Sequence, residues 1–220
     1  MWMACTVTMM LAAPAVADDY LVVFSAESVP YSPTQAHTFA AVVRVSAAAD
    51  GPTRVLDVCS LSWLPTAGTI RAFALRSEAG RNVPLEETLQ DATASHRRIC
   101  LWGPYRVCPE FAQLFRDRVA RVESSYRYKG ACFLRPSKVC DCTRSLEEMV
   151  GQRRFIGVFG YGAASSSVVV RLFEPWLIDP CQTHPWVATL IGLDNYPLVR
   201  RVHGDYTSRR EQRGAWIRRR

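Results

Sequence analysis

Two closely spaced runs near the start of the chain restrict the fold more than any other feature. Residues 37–45, HTFAAVVRV, and residues 55–64, VLDVCSLSWL, are rich in β-branched and aromatic side chains and too short for long helices. Together with a run over 20–25 they predict strands at 20–25, 37–45 and 55–63, with a further strand at 70–76. Helical spacing takes over after that, over 84–94, 109–123 and 141–150, interrupted by strands at 98–102 and 126–133. In the longer helix Pro109 and Glu110 suit the first turn, and Phe111, Leu114, Phe115, Val119 and Val122 form one apolar side, a core stripe. Strands first and helices later indicate an α+β domain. Further on, RFIGVFGYGAASSSVVVRLFEPWLI reads as two strands around a Gly/Ser-rich turn, then a loop, DPCQTHPW, and a short helix, VATLIGL.

At 220 residues, with 49% hydrophobic and 21% charged side chains, the chain can bury a substantial core and is no disordered polymer. Its net charge of +7 is concentrated: residues 200–220 carry eight arginines against Asp205 and Glu211. The remainder is nearly neutral, which argues against a nucleic-acid-binding face. The tail reads as a solvated extension, or as a segment touching an acidic envelope surface. Gly160-Tyr161-Gly162 lacks the company of a phosphate loop, and no cofactor is implied. At the other end a short apolar run, Val7–Ala13, precedes Ala15-Val16-Ala17 and Asp18-Asp19, a small-x-small pattern like a secretory cleavage site, although no Lys or Arg precedes it. The expected organisation is a signal-like segment at 1–17, one domain at 18–199 and a basic tail at 200–220, in a protein exported to the periplasm or beyond.

Export would place the sulfurs in an oxidising compartment. Seven cysteines follow the signal-like segment, so at least one is unpaired in a monomer. Cys100 with Cys108, around Gly103-Pro104, and Cys132 with Cys140 are the local disulfides that spacing suggests. Cys-x-Cys pairs rarely bond to each other, so Cys140 and Cys142 have different fates. Zinc is disfavoured, because no second close pair of ligands accompanies them. Asp141 suits an N-cap, and Cys142, Leu146, Met149 and Val150 then share an inward face. A sulfur in the first turn faces unpaired N–H groups and the positive end of the helix dipole, which lower a thiol pKa. Among the histidines, His37 is placed best to serve as base, at the head of a strand. A buried free thiol with a structural histidine is the plainer account of the same residues.

Those segments, HTFAAVVRV (37–45), VLDVCSLSWL (55–64), YRYKGACF (126–133) and VCDCTRSLEEM (139–149), occur in an order that resembles the circularly permuted papain-like proteins. That group includes the lecithin:retinol acyltransferase branch and bacterial cell-envelope peptidases and amidases. The resemblance covers about residues 20–150 and implies an antiparallel sheet packed against the helix that carries the cysteine. It also implies a Cys142 nucleophile with a His37 base, acting on an amide or ester of a cell-wall peptide or lipid-linked substrate. Family members commonly have Asn where this chain has Asp141. The group that orients the histidine is open: Asp57, Ser60 and Ser62 are the candidates. A disulfide-stabilised secreted binding domain on the same scaffold, without catalysis, is the alternative.

Overall fold

The computed structural model describes residues 16–32, 35–47, 53–68, 70–71, 76–130, 138–151 and 162–204. Its centre is strand β1 (Val16–Glu27), whose sequence DDYLVVFSAE has no alternation because both of its faces are covered. β2 (His37–Ala47) runs antiparallel to it from Ala26↔His37 to Val16↔Ala47, and β3 (Arg54–Leu61) lies outside β2, with Leu61 opposite Ala40. On the other side β6 (Arg98–Val107) pairs antiparallel with β1, and β9 (Leu198–Arg201) adds a parallel edge to β6. The sheet order is β3-β2-β1-β6-β9, mostly antiparallel. The fold is therefore α+β, with helices on both faces of the sheet.

One face carries Leu21, Val23, Ala40, Val42 and Trp102 against α2 (Pro109–Ser125), α3 (Cys142–Glu147) and α4 (Ala163–Phe173). Within α2, Phe111, Phe115 and Val122 are buried, and Leu114 and Val119 pack at the edge of the same core. The opposite face carries Val22, Phe24, Phe39, Ala41 and Leu101 against α1 (Leu85–Ala94) and α5 (Pro185–Leu190). Two small ribbons complete the described chain. β4 (Trp63–Pro65) pairs with β5 (Gly80–Asn82), and β7 (Arg127–Tyr128) pairs in parallel with β8 (Val139–Cys140), which leads into α3.

Three expectations need correction. The stretch SSSVVVRLF is not a strand but the body of α4. Two of its serine hydroxyls turn back onto the helix, Ser165 Oγ donating to the Gly162 carbonyl and Ser167 Oγ to that of Ala164, and the third, Ser166 Oγ, donates to the Phe24 carbonyl of β1. Packing on β1 then outweighs the weak helix preference of the three valines. The domain also extends past residue 199: Arg200 and Arg201 pair with Leu101 and Trp102 in β9, so the basic tail begins later. Finally, Cys100 and Cys108 are both free. β6 stays paired with β1 on both sides of Gly103-Pro104, with a bulge there instead of a fold-back, and so separates the two sulfurs by roughly 20 Å. Cys132, the other expected partner, lies outside the described residues, as do residues 72–75, 131–133 and 154–161 of the expected strands. Among the described residues no helix is long and apolar enough to cross a membrane.

Denatured without reductant and treated with iodoacetamide, the protein should carry a label on each of Cys59, Cys100, Cys108, Cys140, Cys142 and Cys181. Peptide mapping checks this. A Cys100–Cys108 linked peptide would contradict the strand geometry.

Candidate active site

Helix α3 starts where the sequence places it. Asp141, in extended conformation, accepts a hydrogen bond at Oδ1 from the Arg144 N–H (2.8 Å), the N-cap geometry. The helix is short, passes into a 3₁₀ turn at Glu148–Val150 and stops at Gly151, which has φ 69°. Its position is set from α2, because the buried Arg118 donates from Nε to the Ser145 carbonyl (2.7 Å) and from Nη2 to Glu148 (3.0 Å) while lying over the Tyr126 ring. Leu146 and Met149 enter the core, and Cys140, two residues before Cys142, is buried with them.

Cys142 is unbridged and only 2% exposed. Its sulfur lies 3.9 Å from Thr143 Oγ1 and is also hydrogen-bonded from the backbone at Thr38 and Thr143, contacts that favour a thiolate. Burial outweighs them and, with the Asp141 carboxylate beside it, pushes the thiol up to about 12. The expected depression of the thiol pKa is thus reversed in this state. The residue that caps the helix is also the like charge that opposes ionisation.

Thr38 follows His37, which opens β2 as expected and is 1% exposed. The His37 ring stacks on Phe39 (centroids 5.1 Å apart), which stacks on Phe24. Its Nε2 lies 2.9 Å from Ser62 Oγ, and its Nδ1 has no hydrogen-bond partner among the described residues. Of the three candidates for orienting the ring, Ser62 does so. Asp57 is exposed, bonded to Arg116 and paired across the sheet with Arg44, well down the strand. Ser60 sits opposite Ala41, and its carbonyl accepts from Asn82. Burial, reinforced by the Arg97 charge, holds the imidazole down at about 3. Cys142 and His37 therefore lie at the same end of β2 as neutral groups, the sulfur against the Thr38 backbone beside α3 and the imidazole with Phe39 and Ser62 on the face that α1 covers, and no hydrogen bond joins them.

Other polar residues gather at this end. The Glu27 carboxylate, at the end of β1, pairs with Arg98 and accepts from the Ala163 N–H (3.1 Å) at the start of α4. Gly162 has φ 80°, and a Cβ there would lie 2.5 Å from Glu27 Oε2, so the close approach requires glycine. Thr38 Oγ1 meets Ser165 and Ser166, and Ser166 donates to the Phe24 carbonyl. Sequence reasoning missed Glu27 and the α4 serines because nothing local distinguishes them from surface polar residues. A cleft of about 520 Å³ lies elsewhere, between β3, α1 and α5, with Val58, Ser60, Leu89 and Leu190 on its walls. No family model matches the chain, and neither the curated proteins nor the solved structures contain a match.

Two outcomes follow from this electrostatic arrangement. Asp141→Asn keeps the cap and removes the like charge, so the Cys142 thiol pKa should fall, with about a tenfold gain in thiolate for each unit. Iodoacetamide labelling of Cys142 at pH 7.5 should accelerate while the melting temperature stays nearly constant; an unchanged rate would assign the shift to burial alone. For His37 the folded pKa lies below the unfolded value of 6.5, so the unfolded chain takes up a proton that the native state excludes. Stability from this source is complete above about 6.5 and is lost as the pH falls towards about 3. In His37→Gln the decline of the urea midpoint across that window should be shallower than in the wild type.

Proposed function

We propose that this protein is an exported cysteine hydrolase or acyltransferase of the permuted papain-like type, acting on an amide or ester carbonyl of a cell-wall peptide or a lipid-linked substrate. One observation carries the reading. The sulfur of a helix-start cysteine rests against the backbone of Thr38, next to a histidine whose Nε2 is held by Ser62 and whose Nδ1 is unpartnered among the described residues. Segments about a hundred residues apart in sequence meet there, in the order that the resemblance requires.

In the proposed reaction His37 Nδ1 takes the thiol proton and Cys142 Sγ attacks the carbonyl carbon. The tetrahedral oxyanion is held by the backbone N–H of Cys142 and a neighbour. Collapse expels the amine or alcohol, which leaves with the proton from His37, and the thioester passes its acyl group to water or to an acceptor. The imidazole stacks on the α1 side of β2 and the sulfur lies on the α3 side, so the two must first move towards each other, and substrate must reach a thiol that is now enclosed. Polar groups of the bound substrate are then needed to draw the pair into its ionised form, against the desolvation that favours the neutral one. Export rests on the N-terminal sequence alone; the free thiols among the described residues lend it no support.

The burial of Cys142 and its raised pKa favour a second reading, a non-catalytic binding domain on the same scaffold. In that case free thiols, not disulfides, line its core among the described residues. Assays on muropeptide amides and on acyl-lipid esters separate the two. Cys142→Ala should abolish turnover with the fold intact, His37→Gln should lower kcat/KM by about 100-fold or more, and Cys140→Ala should cost stability. Turnover that survives Cys142→Ala would remove the catalytic reading.

A further inference from the structure

Helices α1 and α5, which cover one face of the sheet, both pack on β6. β3 lies three strands away, at the sheet edge, so its residues on that face stand beside the helices and not beneath them. What remains is the open cleft of about 520 Å³ between β3, α1 and α5. Its lining includes the buried Leu89 and Leu193, and also Val58 and Leu190, which are 39% and 41% exposed. The protein therefore leaves apolar surface in water here that an apolar ligand of this size would cover. Helix α1 is held in place by Thr88, whose Oγ1 donates to Ser62 Oγ behind the imidazole (2.8 Å), and it gives Leu85, Glu86 and Leu89 to the cleft.

The polar side chains of the lining are Ser60 on β3 and, on the helical side, Glu86, Asn195 and Tyr196. Glu86 is the one charged residue among them. Its Oε1 accepts from Gln90 Nε2 (3.0 Å), and Gln90 is also hydrogen-bonded to Tyr196. Burial, and after it the Glu86 charge, raises the Tyr196 pKa, so the carboxylate and the phenol stand near each other. Glu87, next along α1, is neutralised by Arg81, whereas Glu86 has no ion pair among the described residues. A carboxylate on the wall of an apolar cleft, with an amide and a phenol beside it to share hydrogen bonds, suits a positive head group on an apolar chain.

We propose that this cleft binds a cationic amphiphile, with its apolar chain laid against Val58, Leu89 and Leu190 and its protonated amine at Glu86. Covering the apolar walls supplies the affinity, and Glu86 supplies the choice of head group. The site is separate from the proposed reaction centre, since Cys142 lies on the opposite face of the sheet with α3, so it does not rest on the cysteine–histidine reading. The sign of the charge is diagnostic. At a net charge of +7 the chain as a whole attracts anions, so a preference for an ammonium has to arise locally.

The test is an amide-shift titration of the nitrogen-15-labelled full-length protein at pH 7 with octylammonium, octanol and octanoate. Octylammonium should saturate a single site and bind the tightest of the three. Glu86→Gln should weaken octylammonium by about fivefold and leave octanol unchanged. Val58→Ser, an exposed position whose change spares the core, should weaken both by about threefold. Cys142→Ala should alter none of the three. Octanoate binding as tightly as octylammonium, an octylammonium affinity that survives Glu86→Gln or Val58→Ser, or a loss of binding in Cys142→Ala would each overturn the proposal.

Discussion

Strand β1 is hydrogen-bonded along both edges and covered on both faces, and much of the remaining structure follows from that enclosure. Each Val, Leu or Phe side chain buried there contributes roughly 1.5–3 kcal/mol relative to exposure, so the five consecutive apolar residues Tyr20–Phe24 anchor both cores at once. A strand so enclosed can admit charge only towards its ends, and each charge there meets an arginine from a neighbouring element. Asp18 pairs with Arg106, Asp19 with Arg44 and Arg116, and Glu27 with Arg98. The buried carboxylate of Glu27 also ties the end of β1 to the start of α4. One end of the sheet thus becomes a polar junction inside an apolar frame.

That frame governs the chemistry of the junction. Desolvation favours the neutral form of every group it encloses, so His37 is held unprotonated and Cys142 as a thiol, although the helix start and nearby N–H groups favour a thiolate. Magnitude decides here: the local helix-end effect is small and the loss of water is large. In Cys140, also buried, the same cause raises the pKa with no first-turn position to oppose it. A neutral resting pair and an ionised reacting pair are compatible when the bound substrate brings its own polar groups into the site.

The elements legible in advance were those whose causes are local. Continuous apolar runs marked β1 and β2, a proline and an acid opened α2, and Asp141 capped α3. Because His37 heads its strand and Cys142 its helix, both candidates could be named from sequence. The choice among Asp57, Ser60 and Ser62 was not legible. Alternation groups Ser60 with Ser62, but only the departure of β3 from the sheet after Leu61 brings Ser62 against the ring. Helix α4 was misread because its valines and serines disfavour an isolated helix, and the packing that reverses this preference comes from β1, well over a hundred residues earlier. Strand β9 was hidden in a basic segment, since a short parallel edge strand needs little apolar patterning of its own.

By itself the sequence determined which segments are extended or helical where period and caps agree, where the charge is concentrated, and which two side chains could act as nucleophile and base. Those properties follow from forces that act within a few residues. Tertiary structure alone decided that the cysteines of the described chain stay unbridged, that Ser62 and Thr88 stand behind the imidazole, and that the thiol pKa rises instead of falling. Each of these depends on how far apart groups end up and how much water remains around them, and both quantities are set only when distant segments pack together.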